Sequence, residues 1–263
     1  MDSRRARLAG SSPASARSRG QCFLNSPTIV NEIVTALQLK GKNVLEIGGG
    51  HGELTAELAD KAKNVRVIES DPALIPFLEK LARKKGNITV VEGDALDEPF
   101  GEKTVFGNLP YYISTPLVMK ILDSPFREAV LMLQKEFGER MAAKPGSKNY
   151  SRLSVAIASK ASCETVAYVP AGCFNPVPAV DSIIVKLIAL PKGKRPKLDD
   201  ALVRALFQHS GQNVRNALSH SARELGREKK ELRDFADSTP YASTRVRDLS
   251  IDALVQLGAE LRA

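Results

Sequence analysis

NVLEIGGGHGELT, residues 43–55, carries the first decision about the fold. Lys42 to Ile47 has the apolar run of a buried strand, and His51 to Ala59 has the spacing of a helix. Gly48, Gly50 and Gly52 lie at the junction. Without Cβ atoms the backbone there can turn tightly and a ligand can lie against it. A lone G-x-G-x-G also fits a plain strand-to-helix turn, so the ends of the next strands must decide.

The next apolar run, Asn64 to Ile68, ends in Glu69-Ser70-Asp71. Glu69 lies 21 residues beyond Gly48, near the spacing at which an acid reaches the ribose hydroxyls of a bound nucleoside. Asp71, before Pro72, suits a helix N-cap. The run Ile88 to Val91 leads to Glu92-Gly93-Asp94-Ala95-Leu96, where Asp94 could accept a hydrogen bond from an exocyclic amine such as adenine N6. Three successive strands thus end in polar groups at one sheet edge, where open α/β folds bind ligands. A nicotinamide dehydrogenase would share the first two features.

The fourth run, Thr104 to Phe106, leads into NLPYYISTP, residues 108–116, and hydride transfer has no use for that tetrad. Asn108 and Pro110 could serve a turn alone. Tyr111 beside Tyr112 fits that reading poorly in a chain with five Tyr and no Trp. With S-adenosylmethionine as donor, the tetrad has a chemical sense. The amino nitrogen of a nucleobase is a poor nucleophile because its lone pair is delocalised into the ring. The Asn108 side-chain oxygen and the Leu109 carbonyl would accept its hydrogens, aim the lone pair and stabilise the developing charge. Pro110 would fix the turn, and Tyr111 would stack an extruded base. Phe174, ahead of the proline-stiffened Asn175-Pro176-Val177-Pro178, fits a core position, or the second wall of a sandwich around the base.

The remaining periodicity gives helices over Ser26–Leu39, Pro72–Arg83 and Ile113–Leu122 and strands over Ala129–Leu133, Thr165–Val169 and Ser182–Ala189. This β-α-β alternation predicts an α/β fold with a mostly parallel sheet from about 20 to 190. Residues 191–197 (PKGKRPK) read as a basic linker, and 198–263 as a small α-helical domain: Leu198–His209, Val214–Leu225, Lys229–Phe235 and Ile251–Leu261.

Composition agrees with a globular chain. Its 263 residues are 43% hydrophobic, and a net charge of +8 favours an anionic partner. Cys22, Cys163 and Cys173 form no C-x-x-C pair, so neither a disulfide framework nor a zinc site is expected. No apolar run nears the roughly 18 residues of a membrane span. Residues 1–19 read as a disordered basic tail able to touch RNA; with five Arg, five Ser and one Asp in the first 20 positions, an organelle transit peptide is the competing reading.

Taken in order, GQCFL (20–24), EIGGGHGELT, IESD, GDAL, NLPYYIS, YSRLSV (150–155) and FNPVPAVDS resemble the small-subunit ribosomal RNA adenine N6,N6-dimethyltransferases, from about Gly20 to the C-terminus. The resemblance implies a Rossmann-like class I methyltransferase domain and S-adenosylmethionine as cofactor. It implies two adjacent adenines near the 3′ end of small-subunit rRNA as substrate, within an immature subunit, and a monomeric cytoplasmic enzyme without a metal. By matching position, Gln21, Cys22, Leu24, Gly48, Gly50, Glu69, Asp94, Ala95 and Asn108 would line the cofactor site. Asn108, Leu109, Pro110, Tyr111 and Phe174 would hold the adenine. Arg204, Arg215, Arg223, Arg245 and Arg247 are the RNA contacts expected in the helical part, where Ser250 reads as an N-cap. Cys22 stands where the family usually has Asn, and Gly49 where it usually has Pro, which predicts a looser loop. Three other readings compete: macrolide-resistance large-subunit rRNA methyltransferases, disfavoured by YSRLSV, FNPVPAVDS and the helical tail; an assembly or transcription factor derived from the family; and DNA adenine or protein glutamine methylation, which usually has Pro in place of Leu109.

Overall fold

The computed structural model describes residues 22–262. The tail 1–19 and Gln21 lie outside them. The elements run β1 (Phe23–Leu24), α1 (Pro27–Thr35), β2 (Asn43–Ile47), α2 (Glu53–Lys61), β3 (Asn64–Glu69), α3 (Ile75–Lys85), β4 (Ile88–Glu92), β5 (Thr104–Asn108), α4 (Ser114–Asp123), β6 (Glu128–Gln134), α5 (Lys135–Ala142), α6 (Arg152–Ala158), β7 (Ala161–Val169), β8 (Phe174–Asn175) and β9 (Ser182–Ala189). The helical part consists of α7 (Asp200–Phe207), α8 (Val214–His220), α9 (Ala222–Leu225), α10 (Lys229–Ser238) and α11 (Ile251–Arg262).

Seven strands form one sheet in the order β4-β3-β2-β5-β6-β9-β7. The pairs β4-β3, β3-β2, β2-β5 and β5-β6 are parallel. The order reverses at β2, which has β3 on one side and β5 on the other. That is the switch point beyond whose carboxyl ends an open α/β sheet leaves a crevice.

The chain divides into two compact units. The first runs to Lys135 and includes Val166–Lys186; the second comprises Glu136–Thr165 and the chain from Leu187. In the first, Ile29, Val30, Ile33 and Val34 of α1 and Leu58 of α2 bury against Val44, Val65, Phe106 and Val130 of the strands. Each such fully buried side chain contributes about 1.5–3 kcal/mol. The two-residue pair β1-β8 sets Leu24 opposite Phe174, and the Asn25 N–H donates to the Cys173 carbonyl at 2.8 Å.

In the second unit, Tyr150 and Val155 join Leu202, Leu206, Val214, Leu218, Leu232, Val246, Leu254 and Leu257 in one core. Side chains cap α7, α8 and α11: Asp199 accepts from the Leu202 N–H, Asn213 from Asn216 and, as the sequence predicts, Ser250 from Ala253.

Several boundaries differ from expectation for local reasons. α2 starts at Glu53 rather than His51 because Gly52 sits at φ 94°, outside helical space. α3 starts at Ile75 because the Asp71 carboxylate accepts from the Ala73 N–H at 3.0 Å, closing a turn before the helix rather than capping it. α5 and α6 were not expected. α5 buries only Gly138 and Met141, so it shows no apolar stripe, and α6 is seven residues long.

Candidate active site

One pocket opens at the carboxyl ends of β2, β3 and β5, within the first unit. Its floor is the glycine loop. Gly48, Gly50 and Gly52 have φ of 79°, 56° and 94°, a region that L side chains rarely adopt. A Cβ on Gly50 would come within 3.3 Å of the Phe23 ring, so this glycine also leaves room for a pocket wall. Gly49 is not a point of slack: a Cβ there would lie 2.5 Å from Val67 Cγ2 and 2.8 Å from Leu78 Cδ1. The loop is wedged onto the sheet at the position where looseness was expected. Gly49→Ala is expected to lower stability by about 1–3 kcal/mol through overpacking, measured by denaturant unfolding.

Glu69, at the end of β3, is buried and tied at both oxygens. The Gly50 N–H donates to Oε2 at 3.0 Å and the Asp71 N–H to Oε1 at 2.8 Å. Its carboxylate therefore fixes the glycine loop, and each oxygen retains a further acceptor position toward the pocket. Asp94 also lines the pocket; its Oδ1 accepts from the Leu96 N–H at 2.8 Å, which leaves Oδ2 for a ligand. Ala95 packs beside it.

Asn108, Leu109, Pro110 and Tyr111 border the same pocket at the end of β5. The Leu109 N–H donates to the Met132 carbonyl at 3.0 Å, and the Ser114 hydroxyl to the Pro110 carbonyl at 3.0 Å, so both ends of the tetrad are held. Tyr111 Oη lies 2.9 Å from Ser182 Oγ, which anchors the ring by its edge. Burial raises the Tyr111 phenol above its ordinary value. Phe174 is at once core and pocket wall: 4% exposed, it packs in the cluster with Leu24 and borders the cavity.

The structure thus gathers Cys22, Gly48, Gly50, Glu69, Asp94, Ala95, Asn108 to Tyr111 and Phe174 around one cavity. Leu24 points into the core instead, and Phe23 takes its place at the wall. A two-residue strand has no periodicity from which to tell these faces apart. Sequence reasoning also missed Ser182, which sits in the resemblance motif FNPVPAVDS, and Tyr112, which is 75% exposed at the pocket mouth. In the second unit, Arg215 pairs with Asp237 at 2.7 Å and Arg204 with Glu224 at 3.3 Å. Arg223, Arg245 and Arg247 have no ion-pair partner among the described residues. No described helix is long and apolar enough to cross a membrane.

Beneath the loop, Glu46 is fully buried, and neither of its oxygens nor the neighbouring Thr55 hydroxyl has a hydrogen-bond partner among the described residues. Burial pushes this carboxyl up to about 8, and the Glu69 and Glu53 carboxylates add to the rise. A raised folded-state value means that Glu46 contributes stability below about 4.5, which is lost as pH rises through about 8. Glu46→Gln is expected to leave Tm nearly unchanged at pH 5 and to melt above the parent at pH 8.5.

The sequence pattern described as Ribosomal RNA adenine dimethylase matches residues 14–249. The chain belongs to the ribosomal RNA adenine dimethylase family. As a member of that family, the chain is an rRNA methyltransferase. It is 42% identical over 247 residues to the "Probable ribosomal RNA small subunit methyltransferase A" of Thermococcus gammatolerans, covering 94% of this chain and 89% of that one. The crystal structure of a dimethyladenosine transferase from Plasmodium falciparum matches with a TM-score of 0.81 and 32% identity, over 91% of this chain and 97% of that one. The structure of the 23S rRNA methyltransferase ErmE matches with a TM-score of 0.68 and 28% identity, over 92% and 100%.

Proposed function

We propose that this rRNA methyltransferase uses S-adenosylmethionine to dimethylate the N6 amino groups of two adjacent adenines near the 3′ end of small-subunit rRNA, acting as a monomer on an immature subunit. The observation that carries the reading is the convergence of Glu69, Asp94 and the Asn108–Tyr111 turn on one cavity over a positive-φ glycine loop. The donor set fits the cofactor. Glu69 suits the ribose hydroxyls, Asp94 Oδ2 the adenine amine, and the bare backbone at Gly48 and Gly50 a close approach, with Cys22 and Ala95 as walls.

The bound cofactor would supply an electrophilic methyl group. Asn108 Oδ1 and the Leu109 carbonyl would accept the two hydrogens of the target amine and turn its lone pair toward that methyl. Both oxygens would stabilise the positive charge arriving on nitrogen as it takes up the methyl group. The proton leaves to solvent afterwards, because an amide side chain is not a base. Tyr111 and Phe174 would hold the base flat. After one transfer a single hydrogen remains, and one of the two acceptors suffices for the second.

The reading that favours large-subunit rRNA rests on the ErmE likeness. The helical tail does not separate the two possibilities, since ErmE matches 92% of this chain. The 42% identity to a relative named as a ribosomal RNA small subunit methyltransferase, against 28% to ErmE, favours the small subunit. The test is transfer of labelled methyl from S-adenosylmethionine to unmethylated small subunits, with large subunits and protein-free rRNA alongside. Label confined to small-subunit RNA is expected. Label mainly in protein-free large-subunit RNA would overturn the proposal.

A further inference from the structure

The first unit holds a second cavity, of about 760 Å³, at the opposite edge of the sheet from the active site. Its lining comes from the amino ends of the strands. Four cationic side chains, Lys42, Arg66, Lys103 and Arg127, face two carboxylates, Glu102 and Glu128.

The two carboxylates are already committed. Glu128 Oε1 accepts from Lys42 Nζ at 2.5 Å and from the Thr104 hydroxyl at 2.7 Å. Glu102 takes a two-pronged contact from Arg66, Nε at 2.7 Å and Nη2 at 2.9 Å. Lys42 and Arg66 are therefore neutralised in place. Lys103 and Arg127 are exposed, and neither side chain has an ion pair or hydrogen bond among the described residues.

The sheet register sets these two cations side by side. Thr104 pairs with Glu128 in the parallel β5-β6 ladder, and the Arg127 N–H donates to the Lys103 carbonyl at 2.7 Å, one step earlier. Adjacent strands are about 4.8 Å apart, so the two charges share one end of the cleft. Like charges on neighbouring strand positions repel. The register row continues through Asn43 and Asn64, whose side chains bond to each other at 3.0 Å and leave the Asn43 Nδ2 donors over.

We propose that this cleft binds phosphates of the rRNA backbone, giving the enzyme an RNA contact remote from the target adenine. Lys103 and Arg127 supply the charge, and Asn43 supplies a neutral donor. Two uncompensated cations and a donor amide lining a cleft of about 760 Å³ match a phosphodiester track. The inference rests on rRNA being the substrate.

The test measures the affinity of wild type and of the Lys103→Ala/Arg127→Ala double variant for unmethylated small subunits over a range of salt concentrations. Neither side chain makes a bond in the fold, so Tm and S-adenosylmethionine affinity should match wild type. The expected result is an affinity about tenfold lower at low salt and a shallower slope of log K against log salt, by about 1 per residue removed. Unchanged affinity and slope would overturn the proposal. So would tight ATP binding that is lost in the variant while subunit binding stays intact, which would make the cleft a nucleotide site. Methyl transfer by wild type to the same subunits reports separately on the rRNA reading, so the two failures are distinguishable.

Discussion

Asn108→Ala is expected to lower methyl transfer to small-subunit RNA by about 10²–10³-fold, the cost of removing one preorganised hydrogen-bond partner from a developing charge. The side chain sits at the end of β5, with the following Leu109 N–H held by the Met132 carbonyl. Truncation therefore removes the acceptor without releasing the turn. The dissociation constant for S-adenosylmethionine should rise by less than about tenfold, because the lost contact is made mainly in the transition state. Single-turnover transfer and calorimetric titration of the cofactor separate the two effects. A variant that transfers methyl at the parent rate would remove Asn108 from the mechanism. A variant that simply fails to bind cofactor would assign the residue to cofactor binding instead.

Glu69→Ala should act the opposite way, on binding and on the fold together. Its carboxylate accepts from the N–H groups of Gly50 and Asp71 while 5% exposed. Removing it leaves two largely buried donors without partners, at about 1–3 kcal/mol each. The glycine loop loses its tie to β3, and under the proposed function a bound ribose would lose its acceptor. Cofactor affinity is expected to fall by about 10²-fold or more, with a lower denaturation midpoint. Glu69→Gln retains one acceptor oxygen and should fall between the two. Parent-like affinity in Glu69→Ala would show that the loop is positioned without it.

Much of this site is visible in the sequence because each part rests on a local requirement. Glycines at 48, 50 and 52 are needed where φ is positive, and all three have positive φ. Strand ends announce themselves by a switch from apolar to polar residues, which places Glu69, Asp94 and Asn108 at one edge. The parts that were not legible depend on distant contacts. That Gly49 is wedged against Val67 and Leu78 comes from how β3 and α3 meet the loop. The Tyr111–Ser182 contact joins residues 71 positions apart. The exchange of Leu24 for Phe23 at the wall depends on the β1-β8 pairing, and α6 owes its place to the buried core of the second unit, which Val155 joins, rather than to its own periodicity. The cleft at the amino edge is invisible in the sequence for the same reason: Lys103 and Arg127 are ordinary surface cations until the β5-β6 register sets them together.

Under the proposed function, the Asn108–Tyr111 turn presents adenine amino groups for two successive transfers. The most direct test is nucleoside analysis, by mass spectrometry, of small-subunit RNA after exhaustive reaction with the purified protein and S-adenosylmethionine. N6,N6-dimethyladenosine is expected at two neighbouring positions near the 3′ end, with little monomethyl product left. Methyl groups on another base, on ribose, or on a single adenine stalled at one methyl would contradict it.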